Sequence, residues 1–264
     1  MATERDKELS LVAHLAELRD RLMVASIAVV ITTVLAFVFS VDIIRVLLVP
    51  VNCSFVHIDP THFPFLVPEY LCTENRAKLI ALSPTENFTT FMRVSLFSGI
   101  ALAMPVILFE IYAYVDPALL PNERRFIRWS GIPILGLFIA GMAFCYFILL
   151  PNAIKFLISF GSDVIENQLR ASDYISFVTT FILGVGLVFE VPVIIYTLVR
   201  VGIVQRSWLA KQRRYVVLGV FVLGAVLTPT PDPFNQTLVA IPMYLLWELG
   251  LFLARFVPKR QVAA

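Results

Sequence analysis

Three carboxylates stand in stretches that hold almost no other charge. Glu190 has sixteen uncharged residues before it and nine after it, Glu110 is the one charge between Val94 and Val115, and Glu248 is the one charge between Pro233 and Ala254. A charge in an apolar span costs about 3 kcal/mol on insertion scales, so each is a candidate for function. Glu190 is the deepest, and Pro192, two residues on, removes a backbone donor and predicts a kink there. Two readings are open for it: an acid that acts at a broken helix, or a neutral group bonded to a neighbouring helix. Glu110 and Glu248 lie within about two turns of the ends of their stretches, where snorkelling or pairing with Arg128 or Arg255 accounts for them.

A second patterned group precedes the first apolar stretch. Leu11, Leu15, Leu18 and Leu22 recur at helical spacing and form an apolar stripe that can lie on a membrane surface before the chain turns in. His14, Glu17 and Arg21 project from one flank of it and Arg19 from the other. By spacing alone, Glu17 and Arg21 are an ordinary i,i+4 ion pair worth a few tenths of a kcal/mol.

Several chemistries are excluded. His14, His57 and His62 all lie outside the apolar stretches, so no Ser-His dyad can form within the bilayer, and neither H-E-x-x-H nor G-x-x-x-x-G-K-[ST] occurs. The chain therefore reads as a non-enzyme without a cofactor. Cys53, His57, His62 and Cys72 share one loop; their irregular spacing is a poor metal motif, whereas a Cys53–Cys72 disulfide would contribute roughly 3 kcal/mol. Cys145 reads as a small apolar residue.

The elements that must position these groups are membrane helices. Of 264 residues, 59% are hydrophobic and 15% charged, and mean hydropathy is +0.84, more apolar than a soluble core absorbs. A crossing needs about 20 mainly apolar residues. Six windows qualify, at about 22–41, 94–115, 129–154, 174–199, 215–231 and 233–254, preceded by an amphipathic segment at 8–21. Of 21 Lys and Arg residues, 15 lie in alternate connections and the two ends: Arg5, Lys7, Arg19, Arg21, Arg124, Arg125, Arg128, Arg200, Arg206, Lys211, Arg213, Arg214, Arg255, Lys259 and Arg260. By the positive-inside rule both termini face the cytoplasm. A net charge of +2 advertises no nucleic-acid surface. The expected fold is all-α, a polytopic bundle in one membrane domain.

Two details stand out. The fifth window is effectively Tyr215 to Leu227 before Thr228-Pro229-Thr230-Pro231, roughly 20 Å of helix against a hydrocarbon thickness of about 30 Å. The loop at 42–85 carries Pro50, Pro60, Pro64, Pro68 and Pro84 and reads as a cap over the outer face.

Taken in order, the motifs carry a resemblance. They are His14-Leu-Ala-Glu17-Leu-Arg19-Asp-Arg21; Met104-Pro105 through Glu110-Ile-Tyr112; Asp116-Pro117 followed by Asn122-Glu123-Arg124-Arg125; Phe189-Glu190-Val-Pro192; and Leu227-Thr-Pro with Asp232 to Gln236 and on to Pro242-Met-Tyr. From about residue 9 to 256 the chain resembles the TatC family, the multispanning receptor of the twin-arginine translocase. The resemblance implies a concave bundle with short fifth and sixth helices in the inner membrane. It also implies recognition of twin-arginine signal peptides on folded precursors, self-association in a larger complex, TatA/TatB-type single-span partners, and export driven by the proton motive force.

The family's recognition carboxylates map onto Glu17 and Glu123, with Arg19, Tyr114 and Pro117 on the same face. Pro105, Glu190, Asp232 and Gln236 match positions of intramembrane or partner contact. A guanidinium suits a carboxylate, which accepts two parallel hydrogen bonds from its planar fork. The chain departs from the family at Arg93 (commonly Lys), Glu110 (Gln), Tyr112 (Trp) and Tyr114 (Phe), and its first outer loop is longer. The spans hold few polar residues, so a docking scaffold is expected rather than a pore. The competing reading is a proton-coupled transporter of a small solute, with Glu190 at a broken helix.

Overall fold

The computed structural model describes residues 11–52, 79–115, 121–159, 169–228 and 233–257, and among these residues the chain is helical throughout its regular structure. Cys53, Cys72, His57, His62, Pro117 and Asp232 lie outside them, so the disulfide and loop-cap readings do too.

Helix α1, Leu11–Val38, is one unbroken helix of 28 residues. No Gly or Pro interrupts it, so the segment expected to lie separately on the membrane surface continues directly into the first span. At 1.5 Å per residue it is about 42 Å long, enough to cross about 30 Å of hydrocarbon and carry its first turns beyond. A short helix α2, Ser40–Asn52, follows within the predicted outer loop. Its exposed side carries the Asp42–Arg45 pair, while Leu47 is buried. Tyr146 and Tyr174 fasten it by donating to the carbonyls of Val46 and Leu47, each at 2.7 Å.

Helix α3, Pro84–Val115, is the main packing partner of α1. Thr32 Oγ1 donates to the Gly99 carbonyl at 2.8 Å, where the two backbones approach closely. The third span is α4, Pro121–Phe144, a π-helical turn at Cys145–Leu149, and α5, Leu150–Ser159. The principal core forms where α2, α3, the π-turn, α5 and α6 (Ala171–Val188) meet, around Val94, Leu149, Leu150, Ile175, Val178 and Phe181. At the same end Glu86 is 4% exposed and accepts from Leu82 N, Ser172 N and Arg170 Nε at 2.8, 3.1 and 3.0 Å. This clasp joins the approaches to α3 and α6, and the Glu86 carboxylate raises the Arg170 guanidinium above its ordinary pKa.

The fourth span breaks where Pro192 predicts: α6 ends at Val188 and α7 is Val191–Val201. The chain then leaves through Gly202, at φ 82°, a left-handed C-terminal turn that favours glycine. Short α8, Arg206–Lys211, leads to α9, Arg213–Leu227, and α10, Pro233–Leu253. Among the described residues, five helical stretches are long and apolar enough to cross a membrane: His14–Val38, Pro84–Ile111, Pro133–Ile158, Ala171–Val201 and Gln236–Phe256. The 15 residues of α9 reach only about 22 Å. The shortness read from the sequence is therefore real for the fifth helix, while α10, at 21 residues, is shorter than α1 and α3 yet long enough.

Candidate functional site

The antiparallel packing of α1 on α3 brings residues 89 positions apart into one cluster. Arg21 donates through Nε and Nη2 to Glu17 Oε1, at 3.0 and 2.7 Å, and through Nη1 to Glu110 Oε2 at 3.1 Å. The expected reason for Glu110, pairing with Arg128, gives way to Arg21 as the partner seen; the Arg128 side chain lies outside the described residues. His14 stacks on Tyr114 with ring centroids 4.4 Å apart, and its Nδ1 lies 3.9 Å from Glu17 Oε2, too far for a hydrogen bond.

Two carboxylates against one guanidinium leave the trio of Glu17, Glu110 and Arg21 one formal negative charge. The Glu17 side chain is 24% exposed and both Arg21 bonds to it fall on Oε1. Its Oε2 thus faces His14 without a hydrogen bond among the described residues, open to another donor.

Arg19 does not join the cluster: it pairs with Asp20 at 2.8 Å and is 72% exposed. Glu123 lies in the first turn of α4, with its side chain outside the described residues. Pro105 is exposed within α3. Gln236 donates from Nε2 to the Phe221 carbonyl at 2.7 Å, and so ties α10 to α9. Glu248 is held by Arg213, at 2.7 and 2.8 Å, in place of the expected Arg255.

Glu190 occupies the break between α6 and α7, where its carbonyl accepts from Val193 N and Ile194 N. Its side chain is buried, at 3% exposed, and Oε1 has no partner among the described residues. Pro192 beside it is buried against α10, where a Cβ on Gly250 would lie 3.0 Å from Pro192 Cα. An unpaired polar atom at such depth has an incentive to find a partner.

The long apolar helices and their largely apolar exposed faces define a multi-pass helical membrane protein, with a polar cluster holding guanidinium where α1 begins and α3 ends. The model of the family described as Sec-independent protein translocase protein (TatC) matches residues 13–242. The TatC of Carboxydothermus hydrogenoformans is 35% identical over 256 residues, 97% of each chain. That of Escherichia coli strain K12 is 36% identical over 246 residues, 93% of this chain and 88% of its own. A crystal structure of the twin-arginine translocase receptor TatC superposes with a TM-score of 0.77 at 34% identity, covering 92% of this chain and 99% of that one. The chain belongs to the TatC family and is a component of the twin-arginine, Sec-independent protein translocase. These relatives lend no support to the small-solute transporter reading.

Proposed function

We propose that this chain is the signal-peptide receptor of its translocase, with Glu17 and Glu123 receiving the two arginines of a precursor. The observation that carries the reading is the open Oε2 of Glu17 beside a guanidinium already bound to Oε1. Arg19, Tyr114 and Pro117 complete the docking face. The ends rich in Lys and Arg face the cytoplasm, both termini included, and the membrane is the inner membrane. The chain acts as a docking scaffold without catalysis of its own. TatA/TatB-type helices assemble along the short α9, near Pro105, Asp232, Gln236 and Glu190, and the proton motive force drives export.

A photoreactive residue at Leu18, exposed one position from Glu17, tests the reading. It should form an adduct with a twin-arginine precursor, and about tenfold less with a twin-lysine one, because an ammonium cannot reproduce the guanidinium fork. Equal adducts with both would refute arginine recognition here.

Glu190 is assigned to the step after docking. Glu190→Ala should reduce export and recovery of the partner complex severalfold while precursor crosslinking at Leu18 stays within about twofold. Glu190→Gln, which keeps the size of the side chain and a polar group that can hydrogen-bond, should export better than Glu190→Ala. Unaltered export with Glu190→Ala would reduce the residue to a filler of the helix break.

A further inference from the structure

A second charged group, away from Glu17, has no part in the docking reading. Where α8 and α9 begin beside the end of α10, a cleft of about 390 Å³ is lined by Arg206, Arg213, Arg255 and Glu248, together with Leu249 and Phe252. Arg213 grips Glu248 through two parallel bonds, and the Tyr244 hydroxyl donates to the same carboxylate at 3.0 Å. That carboxylate is therefore well satisfied. Arg206 donates from Nε to the Leu251 carbonyl at 3.2 Å, which orients its guanidinium and leaves both terminal nitrogens without a partner among the described residues. Arg255 lies over the Phe252 ring, 5.7 Å from the centroid, and donates no hydrogen bond among the described residues.

Three guanidiniums against one carboxylate leave the cleft with an excess of two positive charges. Its other wall is apolar and open: Leu249 is 43% exposed and Phe252 49%. These residues continue the exposed apolar face of α10 to the helix end. Free guanidinium donors directly beside an apolar surface match a ligand with an anionic head and a hydrocarbon tail. A soluble anion would use only the first half of that site.

We infer that this cleft binds the phosphodiester of an anionic phospholipid, Arg206 and Arg255 donating to the phosphate oxygens while Leu249 and Phe252 meet the acyl chains. Arg213 stays committed to Glu248 and fixes the cleft's shape. The inference requires a membrane-spanning chain and is independent of how Glu17 is used.

Native mass spectrometry of the full chain in detergent, after incubation with phosphatidylglycerol, phosphatidylcholine or inorganic phosphate, provides the test. The wild type should retain phosphatidylglycerol over phosphatidylcholine, and Arg206→Gln with Arg255→Gln should lower that retention about tenfold. Arg45→Gln, on the exposed pair of α2, should leave it unchanged. Should the double variant fail to fold, Arg255→Gln alone serves, since it breaks no hydrogen bond among the described residues; about threefold loss is then expected. Equal retention of phosphatidylglycerol by variant and wild type would overturn the proposal. So would retention of phosphatidylcholine to the same extent, or inorganic phosphate displacing the lipid at equal concentration, which would mark a soluble-anion site.

Discussion

Glu17→Arg is expected to abolish crosslinking of a twin-arginine precursor while the chain still inserts into the membrane. In the native cluster Arg21 is shared between Glu17 and Glu110, and the formal charge is −1. Reversing Glu17 brings two guanidiniums together, leaves Glu110 as the one carboxylate of the cluster, and raises the charge to +1. Removing one partner of a close charge pair at a desolvated contact costs about 2–5 kcal/mol. At about 1.4 kcal/mol per tenfold, the loss is at least roughly 30-fold. Like-charge repulsion with the signal's arginines adds to it. Glu17→Gln should fall between, since an amide oxygen still accepts a hydrogen bond but without charge assistance. Glu123→Arg should act in the same direction. Insertion should survive because residue 17 lies in the first turns of α1, beyond its most apolar stretch, and a charge there need not enter hydrocarbon. Normal crosslinking in both reversed variants would remove the carboxylates from recognition.

Much of this architecture is written locally. Charge-free windows mark the long helices because a bilayer demands an apolar side chain at nearly every exposed position. Pro192 announces the break at Glu190, since its ring cannot continue the hydrogen-bond ladder. Leu227 followed by Thr-Pro-Thr-Pro ends α9 for the same reason. What escaped was either amphipathic or long-range. Helix α2 is hidden in the sequence because Asp42 ends the uncharged stretch, and because Pro50 reads as a loop signal although it lies near the helix end. The unity of α1 was hidden by the change from a polar to an apolar environment along one continuous helix. Arg21 and Glu110 meet only because α1 and α3 run antiparallel in a particular register, which neither segment encodes alone. The same holds for Arg213 and Glu248, 35 residues apart. The candidate groups and the local pair of Glu17 with Arg21 are thus visible in the sequence, while the long-range partners are not.

That register rests on Gly99, and Gly99→Ala should damage stability and recognition together. A Cβ there would come within 2.6 Å of Thr33 Cα and 2.7 Å of Thr33 N, and would also meet the Thr33 hydroxyl. Backbone atoms cannot rotate aside, so α1 must retreat from α3. Overpacking of this kind costs about 1–3 kcal/mol. The retreat also strains the bond from Thr32 Oγ1 to the Gly99 carbonyl, worth about 0.5–1.5 kcal/mol. A total of about 1.5–4.5 kcal/mol should appear as a lowered melting temperature in detergent. Because α1 carries Glu17 and Arg21, and α3 carries Glu110 three turns beyond Gly99, the 3.1 Å contact between Arg21 and Glu110 should lengthen as well. Precursor crosslinking at Leu18 should then fall although every polar residue of the cluster is still present. Gly136→Ala is the control, since a Cβ there meets nothing within 4 Å and alanine is the better helix former. If Gly99→Ala melts and crosslinks like Gly136→Ala, the close approach of α1 and α3 does not set the geometry of the site. If it melts early but crosslinks normally, the helix contact supports the fold without holding Glu17 and Glu110 in register.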